Sequence, residues 1–356
     1  MSFGQTSTLN RPNDPVVLTG AQLTSFSGLL PSQIVGFKFV NGIWTQIPVQ
    51  VDERALTDIV IPYGPYGSSL NLNPSPSNLR VLYYCDPSTY TGPDPAPLFD
   101  NDDELVFVVK DAGGQSNGTI PPGVVASTCR EVTITDPLGG SGTVYLFQNG
   151  GSLQQGAGIS YINYSTNLPS TIGFPAHGNG YNTENTNVST SKYSWHFSAE
   201  WVCDEYKLIV GNNTDILDRY KNFFANGNCL RHEDAFSAAE NAFVTARSGP
   251  IRAIRSVLGA VSGPLTQRTH IFYEGRQDIS TDLRVHNIAS IYDVFDYNSN
   301  ANGMTYRNNL NTSGVTINGQ QDVLTSGDIG WEQISGAPGT ISILHRRTTT
   351  FVAPTE

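Results

Sequence analysis

The stretch VGFKFVNGIWTQIPVQV, residues 35–51, carries the clearest structural signal in this chain. Two alternating apolar runs, Val35–Val40 and Ile43–Val51, flank the dipeptide Asn41-Gly42. Asn-Gly between alternating runs is the strongest short-range signal for a type I′ β-hairpin. We therefore predict an antiparallel hairpin here, and we take it as the reference point for the rest of the chain.

The returning run also predicts a buried face. Ile47, Val49 and Val51 alternate and should point to one side of the strand, with the intervening glutamines on the other side. Pro48 has no N–H to donate to a neighbouring strand. We expect this strand to lie at a sheet edge or to carry a bulge.

Similar short runs occur throughout the chain. Charged residues make up 14 % of it and aromatic residues 10 %, a composition typical of short strands joined by polar turns. The predicted strands are one within 16–26, then Arg80–Tyr84, Glu104–Lys110, Val132–Thr135, Thr143–Gln148, Ile251–Leu258, Thr269–Tyr273, Thr281–Val285, Ile291–Phe295 and Thr340–Leu344. The pattern predicts a mainly β protein built of antiparallel β-sandwich units, of jelly-roll or super-sandwich type.

The second half of the chain also contains helical signals. Asn213 and its neighbours could cap a helix that runs to Phe224, and the Ala-rich stretch Glu233–Ala242 predicts a second short helix. A chain of 356 residues is long for one core. We predict an extended segment over 1–30, a first β unit over 31–140 and a second over 141–356.

The overall charge limits the partners. The formal net charge is −11, and an acidic surface repels nucleic-acid backbones. No apolar run approaches the roughly 20 residues of a membrane helix, so we expect neither nucleic acid nor a membrane span. The polar start SFGQTSTLN shows no signal peptide; if the protein is exported, the numbering begins near a processed terminus.

The cysteines and the asparagines favour an extracellular location. An even number of cysteines in a chain rich in Tyr, Asn and Gly suits disulfides, and we favour Cys85–Cys129 and Cys203–Cys229 over four buried free thiols. Asn-x-Ser/Thr sites, which occur here about as often as chance predicts, would accept glycans in an exported protein. They are Asn117, Asn163, Asn187, Asn212 and Asn311.

One acidic cluster is a candidate metal site. Asp100, Asp102, Asp103 and Glu104 lie almost side by side, and dense carboxylate oxygens are the ligands that calcium prefers. The spacing fits no EF-hand loop. The alternative interpretation is a solvated turn before a buried strand. The sequence indicates no other cofactor.

Histidine and arginine alternate on two predicted strands. Arg268 with His270, and Arg284 with His286, should each share a strand face near Tyr273. Such a patch could bind an acidic sugar or remove a proton beside its carboxylate. The alternative is an ordinary solvent-facing surface.

Known catalytic motifs are missing from the sequence. There is no GxSxG element, phosphate-binding loop or dinucleotide fingerprint. A polysaccharide-acting lyase or hydrolase and a carbohydrate-binding adhesion module stay as alternative functions. The binding module would stack sugars on exposed tryptophans, for which the candidates are Trp44, Trp195, Trp201 and Trp331.

Several segments resemble those of known proteins. GPIRAIRSVLGAVSGPLTQRTHIFYEG (249–275) is similar to strand pairs of carbohydrate-active super-sandwich domains. WTQIPVQVDER (44–54), FDNDDELVFVVKDAGG (99–114) and TDLRVHNI (281–288) resemble segments of secreted β-rich proteins of environmental bacteria. The whole chain resembles a subunit of extracellular helical fibrils, which implies a structural role and self-association.

We therefore expect an extracellular structural protein that forms a head-to-tail homopolymer. An extended segment would complete a sheet edge in the next subunit, as in strand-addition complexes. The predicted assembly residues are Val16, Val17, Leu18, Leu23 and Phe26. Removal of residues 1–30 should then leave folded monomers.

Overall fold

The protein is mainly β, as predicted. The computed structural model describes residues 6–58, 80–89, 91–167, 184–199, 202–226, 229–232, 241–259, 266–283 and 290–348. In these ranges the chain forms antiparallel sheets and short 3-10 turns, with no α-helix of seven or more residues. The strands are numbered β1 to β24 in chain order.

The chain divides into two compact units. Unit 1 contains residues 1–164 and 239–284, and unit 2 contains 180–238 and 285–356. The predicted boundary near residue 140 falls instead in the turn of a hairpin within unit 1. Unit 1 is also discontinuous, because the chain returns to it after residue 238.

Unit 1 contains four sheets among its described residues. The first has the strand order β1 (Pro15–Thr19), β7 (Glu104–Val108), β4 (Gln50–Asp52). The second has the order β3 (Ile43–Ile47), β2 (Ile34–Val40), β9 (Ser141–Gln148), β8 (Arg130–Thr135). The third has the order β16 (Asn241–Ser248), β17 (Arg252–Gly259), β18 (Thr266–Tyr273), β19 (Gln277–Leu283), and the fourth pairs β5 (Arg54–Asp58) with β6 (Arg80–Tyr84).

Unit 2 contains two sheets among its described residues. The chain reaches it through β10 (Ile162–Ser165). Its larger sheet runs β11 (Thr186–Thr190), β12 (Tyr193–Ala199), β13 (Val202–Leu208), β14 (Leu217–Asn226), β15 (Cys229–His232), and β20 (Ser290–Tyr297) also pairs with β14. Its smaller sheet has the order β22 (Val315–Thr316), β21 (Thr305–Asn308), β23 (Trp331–Gly336), β24 (Gly339–Leu344).

The predicted Asn-Gly hairpin is confirmed. Asn41 and Gly42 have φ angles of 51° and 83°, and positive values at both central residues are what a type I′ turn requires. Strands β2 and β3 pair from Val40 opposite Ile43 outward. The hairpin is therefore determined by its own sequence.

At Pro48 the chain changes sheets. Strand β3 ends at Ile47, and β4 begins at Gln50 in the first sheet, where it pairs with β7. The predicted buried positions of this run have exposed fractions of 5 % or less. Gln50 was expected on the opposite face, yet it is also buried, because it hydrogen-bonds to Asp52 and to the main chain of Arg252.

The main core of unit 1 contains residues from the first two sheets. Leu105 and Phe107 come from β7, and Ile34, Val144 and Leu146 come from the second sheet. All of these side chains are fully buried. A second cluster uses alternate positions of the second sheet and consists of Val35, Phe37, Phe39, Tyr145 and Phe147, with Trp44 packed against it.

The helix predicted for residues 213–224 is wrong. Leu217–Asn226 is strand β14, which pairs with β20 along most of its length. Tyr220 is buried, and its ring centroid lies 4.6 Å from that of Phe295 on β20. Long-range pairing with a second strand outweighs a weak capping signal. Of the other predicted helix, Asn241 and Ala242 belong to β16, and the rest lies outside the described residues.

Candidate functional site

The predicted assembly segment lies on unit 1 of its own chain. We call residues 6–26 the arm. Its strand β1 pairs antiparallel with β7, from Pro15 opposite Val108 to Thr19 opposite Glu104. Val16 and Leu18 pack against the core, whereas Val17 is 39 % exposed. This alternation is that of an edge strand with one buried face.

The end of the arm enters the core directly. After β1 two 3-10 turns place Leu23 and Phe26 among the buried core residues, with exposed fractions of 2 % and 0 %. Complete burial of such side chains contributes about 1.5–3 kcal/mol each. The arm is therefore part of the hydrophobic core of unit 1 as well as a partner for β7.

The start of the arm is held by polar contacts to the β8–β9 hairpin. The Thr8 N–H donates to the Ser141 carbonyl at 2.9 Å, and the Ser141 N–H donates to the Thr8 hydroxyl at 2.9 Å. Arg11 donates from Nε and Nη2 to the two carboxylate oxygens of Asp136, at 2.9 and 3.1 Å. The hydrogen bond from Arg11 lowers the pKa of Asp136 below its usual range.

A loop of acidic residues holds the middle of the arm. The Gly20 N–H donates to the Asp103 carbonyl at 2.8 Å, and the Ala21 N–H donates to the Asn101 carbonyl at 3.1 Å. A Cβ atom on Gly20 would lie 1.6 Å from the carbonyl oxygen of Asp100. Only glycine fits at position 20, because the two backbones are too close for any side chain.

Of the four carboxylates that the sequence predicted to form a metal site, three converge in this loop. Ligand oxygens of Asp100, Asp102 and Asp103 lie within 4.8 Å of one another. Burial, helped by a hydrogen bond and the charge of Asp100, raises the pKa of Asp102 to about 7. Burial also raises the pKa of Asp103 to about 6, and the charges of Asp100 and Asp94 add to this effect.

Glu104, the fourth predicted metal ligand, does not belong to this cluster. Its side chain follows the β-strand alternation away from Asp103 and forms ion pairs with Arg54 at 2.7 Å and Arg252 at 2.7 Å. The Tyr84 hydroxyl donates to the same carboxylate at 2.8 Å. Glu104 therefore neutralises arginines within unit 1.

A buried ion-pair network surrounds Glu104, and sequence reasoning did not predict it. Arg252 is 1 % exposed; its Nε donates to Asp52 at 2.8 Å, and its Nη1 donates to the Tyr273 hydroxyl at 3.3 Å. Buried charges require such partners. One sequence signal could have indicated it: Asp52 and Arg252 are themselves charged residues, and each stands beside an otherwise apolar run. The network links the first and third sheets of unit 1.

The described part of the predicted basic patch is buried. Arg268 and His270 lie on the same face of β18, with exposed fractions of 1 % and 2 %. Tyr273 lies on the opposite face, next to Arg252. Arg284 and His286 lie outside the described residues. Burial, with the charges of Arg255 and Arg268, lowers the pKa of His270 well below its usual value. Side chains this deeply buried are poor candidates for sugar chemistry in this conformation.

Of the candidate tryptophans, Trp195 is a core residue and Trp44 is half-buried. Trp44 packs in the aromatic cluster of unit 1, and its indole N–H donates to the Thr119 hydroxyl at 3.0 Å. Trp195 is 2 % exposed and packs against aromatic side chains of unit 2. Trp331 is half-buried, and Trp201 lies outside the described residues. Trp195 therefore offers no open face for sugar stacking.

The structure does not form the predicted Cys85–Cys129 disulfide. Both residues carry free thiols. The predicted partner of Cys203, Cys229, has its side chain outside the described residues. Cys85 is buried after β6, whereas Cys129 is exposed before β8, in a different sheet. Burial and nearby carboxylates raise the pKa of Cys85 to about 12. This thiol is therefore protonated and unreactive at neutral pH.

The predicted glycosylation residues divide into two groups. Asn117, Asn163, Asn187 and Asn212 are exposed. Asn311 instead uses its side-chain amide internally, donating to Asn308 at 3.1 Å and to the Thr325 carbonyl at 3.1 Å. In the first group, the Asn187 amide also donates internally, to the Asn185 side chain at 2.9 Å.

Comparison with known proteins found no matching family model, curated protein or solved structure. Among the described residues, no helix has the length and apolar character needed to cross a membrane.

Proposed function

We propose that this chain is an extracellular structural subunit that assembles into filaments by exchanging its arm between copies. The observation that carries the proposal is the position of β1. Strand β1 pairs with one edge of β7, and all five residues of β7 are buried. A subunit whose own arm is displaced needs an equivalent strand, and the arm of a second copy is chemically identical.

The contacts of the arm favour such an exchange. Its partners lie near residues 99–110 and 136–142, far from it in sequence. The same contacts can therefore form within one chain or between two chains without any new interface chemistry. Main-chain hydrogen bonds supply affinity, and the alternating pockets for Val16 and Leu18 supply register. A head-to-tail exchange does not close on itself, so it propagates as a filament.

The connection after the arm is the natural hinge. Gly28 has a φ angle of 84°, and a Cβ atom there would meet no other atom. Backbone rotation at residues 27–30 would redirect the arm while β2 stays in its sheet. Hinge residues in swapped assemblies absorb the change in chain direction in this way.

The assembling unit is proposed to be a β-sandwich of the jelly-roll or super-sandwich kind. The support is the core of unit 1, in which Leu105 and Phe107 of one sheet pack with Val144 and Leu146 of another. Strand alternation directs these residues inward from both sheets. Removal of the arm would open this core at its edge.

An extracellular location, with glycans as further partners, belongs to the same proposal. Its support is the low charged fraction of 14 % and the four exposed sequons. Glycans at such sites stay at the surface of a folded subunit. Filaments with glycans at these exposed asparagines would keep their polar character in water.

An engineered disulfide tests the exchange directly. Val17 on β1 and Val106 on β7 are directly opposed in the antiparallel pair. We would make Val17→Cys with Val106→Cys in a background in which the exposed Cys129 is replaced by serine. Filaments identified by negative-stain microscopy are oxidised and then dissolved in denaturant. Exchange predicts a covalent ladder of oligomers on a gel, and isolated monomers predict a single cross-linked chain.

Two results would overturn the proposal. One is full-length protein that stays monomeric at all concentrations tested. The other is filaments that contain only chains cross-linked to themselves. The Val17→Cys single variant is the matched control, because it keeps the exposed thiol but lacks its partner on β7.

The structure also changes the expected result of deleting the arm. Loss of Leu23, Phe26 and the inner face of β1 removes buried apolar side chains that stabilise the fold by on the order of 10 kcal/mol. This free energy is comparable to the whole stability of a domain. The shortened chain should therefore not fold alone. A synthetic peptide of residues 6–26 should restore its fold without polymerisation, whereas a Phe26→Ser peptide should not.

A further inference from the structure

Asparagine directly precedes glycine at five places in the described part of the chain. The pairs are Asn41-Gly42, Asn117-Gly118, Asn149-Gly150, Asn302-Gly303 and Asn318-Gly319. The glycine nitrogen of such a pair can attack the preceding side-chain amide, because glycine has no Cβ atom to crowd the approach. In a folded protein this reaction requires a glycine N–H that is free to react and an asparagine side chain that is free to turn toward it.

Three of the glycine N–H groups are already hydrogen-bonded. Gly150 donates to the Gly123 carbonyl, and Gly303 donates to the Ile317 carbonyl, each at 2.8 Å. Gly118 donates to a side-chain hydroxyl at 3.4 Å. Each of these nitrogen atoms must break its hydrogen bond before it can attack a carbon atom, which slows the reaction.

Three of the asparagine side chains are also held in place. Oδ1 of Asn149 accepts two main-chain N–H groups, at 2.9 and 3.1 Å. Oδ1 of Asn117 accepts the Thr119 hydroxyl at 2.8 Å, and Oδ1 of Asn318 accepts the Gln320 N–H at 2.8 Å. These bonds direct the side-chain carbonyl toward residues beyond the glycine and oppose its rotation.

In the pair Asn41-Gly42 neither group is held. Both residues are exposed at the tip of the β2–β3 hairpin, beyond the last ladder pair of Val40 and Ile43. Within the described residues, neither the Asn41 side chain nor the Gly42 N–H forms a hydrogen bond. A Cβ atom on Gly42 would meet nothing within 4 Å, so the space around the turn is open.

The turn type also gives access to the reactive geometry. Type I′ and type II′ turns differ by a flip of the peptide plane between their two central residues. In ideal turns this flip moves ψ of the first central residue from about +30° to about −120°, which brings the Gly42 nitrogen to the same side as the Asn41 Cβ atom. Gly42 accepts the accompanying change in the sign of φ without strain, because it has no side chain.

We propose that Asn41 is the preferred deamidation site of the native protein, through ring closure onto Gly42. The Gly42 nitrogen loses its proton to a base and bonds to Cγ of Asn41. The bond from Cγ to Nδ2 breaks, and Nδ2 takes up a proton and leaves as ammonia. One water molecule then opens the five-membered imide at either carbonyl, which gives aspartate or isoaspartate. Either product adds one negative charge to the hairpin tip.

The two products act differently on the hairpin. Aspartate keeps the turn, because Asp-Gly also suits type I′. Isoaspartate places an additional carbon atom in the main chain before Gly42, so the connection no longer matches the pairing of Val40 with Ile43. Because β3 is the outer strand of its sheet, the loss of pairing should stay local.

Timed incubation of the full-length protein at mildly alkaline pH, followed by peptide mapping, tests the site. Isoaspartate and aspartate should accumulate at position 41 at least about fivefold faster than at each of the other four asparagines. In concentrated urea the five pairs should react at similar rates, because the protecting hydrogen bonds are lost. Asn41→Gly keeps a favourable turn residue and should abolish the modification of this peptide.

Three outcomes would overturn the proposal. One is conversion at another of these pairs that is as fast as at position 41 in the folded protein. The second is an Asn41 that converts in urea but not in the folded protein. The third is aspartate without isoaspartate, which would indicate direct hydrolysis of the side chain.

Hydrogen exchange tests the structural consequence. In the purified isoaspartate form, the Val40 and Ile43 amides should exchange at least about fivefold faster than in the parent. Equal exchange would show that the turn accommodates the additional atom, which would overturn the predicted loss of pairing. None of these results depends on whether filaments form.

Discussion

The β2–β3 hairpin and the β1–β7 pair are built alike but are joined differently. Each aligns five residue pairs in antiparallel register. The hairpin is closed by the two residues Asn41 and Gly42, whereas Thr19 of the arm pairs with Glu104, more than 80 positions later. A two-residue turn forces β3 to pair with β2, the strand that directly precedes it. A long connection gives no such guarantee, and an equivalent strand from another chain can take the same place.

The largest effect should come from the core anchor of the arm. Phe26→Ala removes a fully buried ring and should lower the free energy of unfolding by about 3–5 kcal/mol. Ile43→Ala, at a hairpin position that is 65 % exposed, is the control and should change it by less than about 0.5 kcal/mol. Urea titration measures both. Similar losses for the two variants would mean that the arm does not contribute to the core in solution.

A second variant separates arm docking from core burial. Gly20→Ala places a methyl group against the Asp100 carbonyl and should cost about 1–3 kcal/mol, with faster hydrogen exchange of the arm. Gly330→Ala is the control, because its added Cβ atom meets nothing within 4 Å. Unchanged exchange in Gly20→Ala would contradict the close backbone approach between the arm and the acidic loop.

The turn of the hairpin offers the opposite test. Gly42→Ala keeps space for its methyl group but forces alanine to a φ angle of 83°, which should cost about 1–2 kcal/mol. The loss should be local, so amide exchange in the arm should stay unchanged. Asn41→Gly, which keeps a favourable turn residue, should leave stability nearly the same. Faster exchange of the arm in Gly42→Ala would show that the two pairs are coupled.

The smallest effect concerns the ion pair at the start of the arm. The bonded Arg11 lowers the folded-state pKa of Asp136, so the stabilising contribution is present above the unfolded pKa and is lost as pH falls through the folded value. Arg11→Gln should lower the urea midpoint slightly at neutral pH and not at strongly acidic pH. High salt should reduce the difference.

Arg347→Gln, which breaks an exposed pair with Asp328, is the matched control for charge removal. A pH-independent difference between the parent and Arg11→Gln would argue against a charge contribution at this contact.

Sequence reasoning succeeded where structure is local. The Asn-Gly turn placed β2 and β3, and short apolar runs predicted strands at Arg80–Tyr84, Glu104–Lys110 and Val132–Thr135, which overlap the observed β6, β7 and β8. It failed for residues 213–224, where aromatic spacing suggested a helix and pairing with β20 produced a strand. Periodicity cannot reveal a partner that lies some 70 residues away.

The candidate site was only partly predictable for the same reason. Adjacent aspartates at 100, 102 and 103 were visible as a cluster, and their oxygens do converge. Glu104 is adjacent in sequence but turns to the opposite face of β7, where it meets Arg252. The close approach of Gly20 to the Asp100 carbonyl depends on how two distant segments fold together.

By itself, the sequence determined the β class, the hairpin at residues 41–42 and the presence of a strand within residues 16–26, because turn geometry and β propensity act over a few residues. Tertiary structure alone decided what the arm pairs with, which carboxylates converge and which arginines are buried. Those outcomes depend on main-chain groups and charges that are distant along the chain. Such groups must be satisfied when they leave water, and no local pattern records which partners satisfy them.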